Sequence, residues 1–232
     1  MSKIDFITEI SHELRTPLMV IKNSLDLLST NASQYNNKKF FHVLEIAQRN
    51  TEYMAEIINH ILNFTKIETG RYIVKKRKIH FRGFIEEIVK EYQTYADRKK
   101  IKITKNISED INKINVDPVL LKQILVNLLN NALRFASSEI KIEGALADTS
   151  KKEKSIKISV CDDGIGIPKA FIGKIFDKFF KVNDSSDSYE DSYSSCGFGL
   201  FITKKIVELQ GGKIWVESKF RKGTKFIFLL PV

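Results

Sequence analysis

The stretch NLLNNALRF, residues 127–135, sets two asparagines, Asn127 and Asn131, four positions apart inside an otherwise apolar helical pattern. At that spacing the two amides project from one helix face a turn apart, while Leu125, Leu128, Leu129 and Leu133 supply the core contacts. The amides therefore have no obvious packing role. Their carbonyl oxygens are hard ligands suited to Mg²⁺, with waters and phosphates completing an octahedron. The same face also suits amides that bond a neighbouring loop, and the stretch alone leaves both readings open.

Downstream, CDDGIGIP (161–168) ends an alternating strand with an acidic pair and two glycines. Asp162, at the strand end, can accept from an exocyclic amine, and Gly164 and Gly166 let backbone approach a flat ring, although such a stretch is also a common turn. Further on, SSCGFGLFITKKIVELQGG places Gly197 and Gly199 at the opening of a helix. The unpaired amides and positive dipole end there favour phosphate. A lone pair of glycines is a weak signal.

Around these stretches, strands and helices alternate. RYIVKKRKIH reads as a strand, Arg82 to Ala96 as a helix, and Ile101–Ile107 and Lys113–Val116 as strands. A helix from Pro118 to Phe135 follows, then strands in EIKIEGALA and SIKISVCDD, a helix after Phe198, and a last strand pair in GKIWVES and GTKFIFLLP. This is the pattern of an α/β sandwich of ordinary domain size. The polar run NDSSDSYEDSYSS (183–195) reads as a surface loop.

Before residue 69 the pattern is helical. Ile7, Ser11, Leu14, Leu18, Ile21, Leu25 and Leu28 recur at spacings of four and three, a heptad seam broken only by the serine. After the polar turn STNASQYNN (29–37), Phe40, Leu44, Ala47, Met54, Ile58 and Ile61 mark a second helix to about Thr65. Val43, Ile57 and Phe64 widen its apolar stripe, so a hairpin alone leaves one face wet, and a dimer forming a four-helix bundle covers it. The glycine in Glu68-Thr69-Gly70 ends the helical part. The expected organisation is thus α+β: a helical hairpin over 1–68 and an α/β sandwich over 69–232.

Within the first helix, SHELRTPL (11–18) carries His12 one position from the seam, with Pro17 five residues later. Pro17 cannot donate to the carbonyl of Glu13 and crowds it, so the helix is expected to bend beside the histidine. Glu13 can orient the imidazole or take its proton, raising the nucleophilicity of the other ring nitrogen. A surface histidine in a kinked helix is the plainer alternative.

The bulk composition restricts the rest. With 43% hydrophobic residues in a chain of 232, a packed core is assured. Apolar runs such as Phe226–Val232 fall far short of the roughly 18–20 residues that cross a bilayer. Cys161 and Cys196 lack metal-type spacing and read as free thiols of a reducing compartment. The net charge of +10 comes from short, separated clusters such as Lys75–Lys78 and Arg98–Lys100, which read as a solvated basic surface and not as a nucleic-acid interface.

Taken in order, SHELRTPL, NLLNNA, DDGIGIP, IFDKFFK (175–181), GFGLFI and GTKFIF resemble the sensor histidine kinases of two-component signalling over nearly the whole chain. The resemblance implies a dimerisation and histidine-phosphotransfer domain with His12 as phospho-acceptor and Glu13 as its acid/base partner. It also implies a catalytic domain of the gyrase, chaperone and histidine-kinase type that binds ATP with Mg²⁺. On that resemblance Asn131 matches the metal ligand, Asn127 and Arg134 match phosphate-side contacts, and Asp162 matches the adenine-binding carboxylate. Phe176 and Phe179 match an aromatic box, and Gly197 and Gly199 the glycines at the end of a nucleotide lid. Phe135, Gly164, Gly166, Lys181, Phe198, Leu200 and Thr224 fall in the same motifs and join the cofactor-binding set. The spacing of Glu13 and Thr16 is similar to that of members which also dephosphorylate their partner.

The implied activity is transfer of the γ-phosphoryl group of MgATP to His12 and onward to an aspartate of a response-regulator receiver domain, by a homodimer in the cytoplasm. The amide at Asn127 stands where related ATPases typically carry a water-activating glutamate, which favours a kinase over a free ATPase. Two departures point elsewhere. Ser195 replaces a glycine of the lid motif, and Arg221 stands where a glycine is usual in the last one. Asp184, Asp187, Glu190 and Asp191 add negative charge to the lid, with Lys178 and Lys181 to offset it. These favour a degenerate kinase acting as a dimeric scaffold or phosphatase as the alternative. Only eleven residues precede His12, so a fragment, or a kinase whose sensor lies on another chain, is expected, and an inner-membrane parent stays open.

Overall fold

The computed structural model describes residues 3–30, 37–147, 155–178, 180 and 197–232. The chain divides into two compact units. The first holds the two long helices as far as Lys66, together with Gly197 and Phe198; the second holds Ile67–Phe180 and everything from Gly199.

In the first unit, α1 (Lys3–Thr30) runs as one helix through Pro17, and α2 covers Asn37–Glu68. Among the described side chains of α1, Pro17 and Ser24, one heptad apart, are buried, whereas Leu18 and Leu25 of the sequence seam are 55% and 53% exposed. Helix α2 buries Asn50, Ile57 and Phe64, again at seven-residue spacing, together with Ala47. Phe41, Ile58 and Leu62 stay exposed. One protomer thus covers only part of the apolar surface its periodicity provides. Inside, Asn50 Nδ2 donates to the Ile46 carbonyl of its own helix at 2.8 Å.

The second unit contains β1 (Arg77–His80), α3 (Phe81–Arg98), β2 (Lys102–Ile107), β3 (Lys113–Val116), α4 (Pro118–Phe135), β4 (Glu139–Ala147) and β5 (Ser155–Asp162). After these come α5 (Lys169–Ile172), α6 (Gly199–Leu209), β6 (Lys213–Ser218) and β7 (Thr224–Pro231). Five strands form one sheet in the order β2-β4-β5-β7-β6, parallel only between β2 and β4, and β1 pairs with β3 in a separate antiparallel ribbon. Alternation decides the faces. Ile140, Ile142, Ile158, Val160, Phe226 and Phe228 are buried, and α3, α4 and α6 pack on the sheet, where Leu121, Leu125, Leu128, Ile202 and Ile206 are buried as well. The intervening positions Lys141, Glu143, Lys157 and Lys225 remain at least partly exposed. The helical hairpin and α/β sandwich expected from the sequence are both present.

One strand is shorter than its sequence suggests: of RYIVKKRKIH only Arg77–His80 pairs. The segment before it is engaged elsewhere, with Lys75 N donating to Asp117 Oδ2 at 2.8 Å. Asp117 is itself buried as the N-cap of α4, accepting from Val119 N and Leu120 N, and Pro118 occupies the first turn where no donor is needed.

Candidate functional site

Helix α4 carries the asparagines; two contacts tie it to the other motifs, and a third joins those motifs to one another. At its middle, Asn127 is buried and its Nδ2 donates to the Gly199 carbonyl at 3.3 Å and to Thr203 Oγ1 at 3.1 Å. Thr203 in turn donates to the Gly199 carbonyl at 2.8 Å. The glycine that opens α6 is thereby fastened to the asparagine face. Asn131, one turn on, is half-buried. At the C-terminal end of α4, a Cβ on Gly164 would collide with the Phe135 carbonyl, so glycine is what lets the DDGIGIP turn lie against the helix end. Arg134 lies over the Phe135 ring, 5.0 Å from its centroid, and Phe135 is exposed.

The third contact runs from the strand end to the last hairpin. Asp162 pairs in register with Thr224 across β5 and β7, and a Cβ on Gly223 would strike the Asp162 carbonyl. Gly166 adopts φ +67° and leaves no room for a side chain against the Lys219 carbonyl. Ser218 secures the junction: its hydroxyl donates to the Gly223 carbonyl at 2.8 Å, accepts from Ile167 N at 2.8 Å, and lies 3.1 Å from Thr224 Oγ1.

Burial pushes the Asp162 carboxyl up to about 6, against the backbone N–H groups of Gly164 and Thr224 that favour its charged form. At about 6 the carboxyl is mostly ionised at neutral pH and can accept from an N–H donor. Its neighbour Asp163 behaves oppositely. Desolvation raises it, but hydrogen bonds from the Ser138 hydroxyl and from the N–H groups of Ser138, Glu139 and Ser137 outweigh this and hold it at about 2.

The aromatic residues occupy distinct places. Phe176 meets Phe226 of β7 edge to face at 6.3 Å, two residues from Thr224. The Lys178 ammonium lies 4.9 Å from the Phe201 ring centroid in α6. Phe198 is fully buried, its ring 6.5 Å from that of Phe64, so within the first unit it serves packing. Gly197 has φ +67°, as a glycine before a helix can, while Leu200 is half-buried in the first turn of α6. Phe179 and Lys181 lie outside the described residues, as do Ser195 and the acidic positions between 184 and 191. His12, Glu13 and Thr16 lie in α1; Thr16 is exposed, and the side chains of His12 and Glu13 fall outside the described ones.

The structure therefore brings together Asn127, Phe135, Asp162, Gly164, Gly199 and Thr224, which lie as far as 97 positions apart, from 127 to 224. Asp163, Thr203 and Ser218 belong to the same network although the sequence reading gave them no role. The acidic pair was visible in the sequence, and Thr203 stands one helical turn beyond Gly199, the position from which a hydroxyl reaches back to a carbonyl.

An α/β sandwich with these motifs is that of the histidine kinase-, DNA gyrase B- and HSP90-like ATPases, whose family model matches residues 116–232. Residues 2–70 match the His Kinase A (phospho-acceptor) domain. The chain belongs to the sensor histidine kinases of two-component systems. It is 30% identical to the sensor histidine kinase WalK of Bacillus subtilis over 98% of its own length and 36% of that protein. It is 34% identical to the autoinducer 2 sensor kinase/phosphatase LuxQ of Vibrio vulnificus, covering all of this chain and 27% of that one. The chain thus spans about a third of the length of the curated relatives it matches. The solved histidine kinase ThkA, in complex with the response regulator protein TrrA, shares the fold with a TM-score of 0.66 at 21% identity, over 98% of this chain and 61% of that one.

Among the described residues no helix is long and apolar enough to cross a membrane.

Proposed function

We propose that this chain is the catalytic core of a histidine kinase that transfers the γ-phosphoryl group of MgATP to His12 and then to an aspartate of a response-regulator receiver domain. The observation that carries this reading is the double attachment of α4. Asn127 holds the phosphate-end glycine Gly199, and Phe135 holds Gly164 next to the base-end carboxylate Asp162. One rigid helix so fixes the distance between the two ends of a bound nucleotide, which is most of what phosphoryl transfer asks of a protein.

In this reading the unprotonated Asp162 carboxylate accepts from the exocyclic amine of adenine, with Thr224 beneath it. The donor set fits Mg²⁺. Asn131 offers one hard oxygen, and among the described residues no group of three or more His, Cys, Asp or Glu forms a cage, which suits an ion that brings phosphates and waters as its remaining ligands. When bound, the ion neutralises charge on the β- and γ-phosphates. Arg134 and the N-terminal amides of α6 meet the remaining phosphate charge.

His12 acts as nucleophile: an imidazole nitrogen forms the N–P bond, the bond between γ-phosphorus and its bridging oxygen breaks, and ADP leaves with that electron pair. The proton on the other ring nitrogen passes to Glu13. Glu13 and Thr16 together also position water for dephosphorylating the partner. The exposed Leu18, Leu25, Ile58 and Leu62 mark the face that a second copy covers to make a four-helix bundle. ThkA's assembly with a response regulator supports the same class of partner here.

Incubation with γ-labelled MgATP tests the proposal. Wild type should acquire acid-labile label on His12 and His12→Gln none; label retained by His12→Gln overturns it.

A further inference from the structure

In the proposed nucleotide site Asp162 meets adenine and Asp163 has no part, yet Asp163 is the more heavily bonded of the two. Asp163 Oδ1 accepts from Ser137 N at 2.9 Å, Ser138 N at 3.0 Å and Glu139 N at 3.1 Å. Its Oδ2 accepts from Ser138 N at 3.1 Å and from the Ser138 hydroxyl at 2.5 Å. Asp163 N donates back to the Glu139 carbonyl at 3.3 Å.

The donors to the carboxylate belong to the short connection between α4 and β4 and to the first residue of β4. That connection begins one residue after Phe135, whose carbonyl already touches Gly164. On the other side, Asp162 Oδ1 accepts from Gly164 N at 3.0 Å. Residues 162–164 are therefore gripped twice against the end of the asparagine helix, once by backbone contact at Gly164 and once by a carboxylate at Asp163.

We propose that Asp163 is a positioning residue for the nucleotide site: by clasping the backbone of Ser137–Glu139 it fixes Asp162 relative to the asparagine face of α4. The proposal rests on Asp162 being the acceptor for adenine.

Charge is needed for the clasp. Four donors make five hydrogen bonds to two oxygens, and an ionised carboxylate is the side chain that accepts at both without donating. An amide keeps one acceptor and turns two donors towards the same N–H groups. Hydrogen bonds to a charged acceptor are also stronger than neutral ones, which matters for a group in contact with solvent. Ionisation is secure, because the carboxyl is held at about 2.

A clasp that only stabilised the fold would change stability alone. One that aims Asp162 also changes base selectivity, because adenine presents an amine where guanine presents a carbonyl, and only a correctly placed carboxylate separates the two. The test is equilibrium binding of MgATP and MgGTP to the full chain, with amide hydrogen exchange at Ser137–Glu139 as the local readout. Asp163→Ala should weaken MgATP roughly tenfold and narrow the ATP-to-GTP affinity ratio by a similar factor. Exchange at 137–139 should accelerate, and Asp163→Asn should fall between.

Should Asp163→Ala not fold, Ser138→Ala removes the hydroxyl donor alone and should narrow the ratio about twofold. Faster exchange with an unchanged ratio, in Asp163→Ala or failing that in Ser138→Ala, overturns the proposal. Asp162→Ala is the reference: if it leaves the ratio unchanged, the adenine assignment itself is wrong, and the proposal falls with it.

Discussion

The Nδ2 atom of Asn127 reaches the hydroxyl of Thr203 at 3.1 Å, and that hydroxyl donates onward to the Gly199 carbonyl at 2.8 Å. A carbonyl can only accept, so the nitrogen of the Asn127 amide faces α6 and its Oδ1 is turned away from Gly199. The hydroxyl of Thr203, itself fully buried, decides which atom of Asn127 is left for a ligand.

Thr203→Val keeps the shape of this side chain and removes its acceptor, leaving one buried N–H of Asn127 with a single carbonyl at 3.3 Å. The expected cost is about 1–2 kcal/mol of unfolding free energy. Thr203→Ser keeps the hydroxyl and should lose less than about 1 kcal/mol through the missing methyl. Urea denaturation of the three proteins measures both, and equal midpoints for Thr203→Val and wild type refute the bond's importance.

Asp162 should make nucleotide affinity and intrinsic stability respond to pH in opposite directions. Its folded-state value of about 6 lies above the ordinary 3.8, so the folded protein holds this proton more tightly than the unfolded one. The stability contributed by that proton is complete below 3.8 and is lost as pH rises through about 6. Adenine needs the ionised form as acceptor, so MgATP affinity should rise across the same interval. Calorimetric titration between pH 5 and 7.5, with Mg²⁺ saturating to keep the phosphates ionised, should show this rise in wild type and a flat profile in Asp162→Asn.

The sequence made α4 legible to the residue, because its start is chemical: an aspartate cap, a proline in the first turn, and leucines at helical spacing. The strand ending in Asp162 was legible through its alternation. Periodicity reports which face is apolar but not what covers it. That is why a face left wet in the hairpin was foreseeable while the exposure of Leu18 and Leu25 in particular was not. The same limit hid the orientation of Asn127, which depends on a carbonyl 72 positions away. RYIVKKRKIH has strand composition throughout, and only the capture of Lys75 N by Asp117 explains why its first half does not pair. The engagement of Asp163 lay equally beyond sequence, since all but one of its donors, the Ser138 hydroxyl, are backbone N–H groups that carry no residue signature.

Two glycines that look alike in the motifs should respond differently to alanine. At Gly164 the added Cβ meets the Phe135 backbone, which cannot yield without moving the end of α4. Gly164→Ala should therefore cost about 2–3 kcal/mol. At Gly199 nothing lies within 4 Å of the added atom and the residue is helical. Gly199→Ala should leave stability within about 0.5 kcal/mol of wild type or raise it slightly. Thermal unfolding of both variants decides the matter, and similar losses at the two positions contradict this account of Gly164.

Leu25 in α1 and Ile58 in α2 are 53% and 43% exposed in one protomer, and a bundle made with a second copy would remove them from water. Burying one such side chain contributes about 1.5–3 kcal/mol, and symmetry counts each twice per dimer. Leu25→Glu adds an unpaired charge to the loss and should weaken self-association by more than about a hundredfold. The sandwich has its own core in Ile85, Leu125, Ile158 and Phe228, so nucleotide binding should persist in the resulting monomer. Sedimentation equilibrium with and without MgATP reads both quantities. A Leu25→Glu protein that stays dimeric at micromolar concentration would move the interface off this face, and one that loses nucleotide binding would mean that the second unit depends on the bundle for its fold.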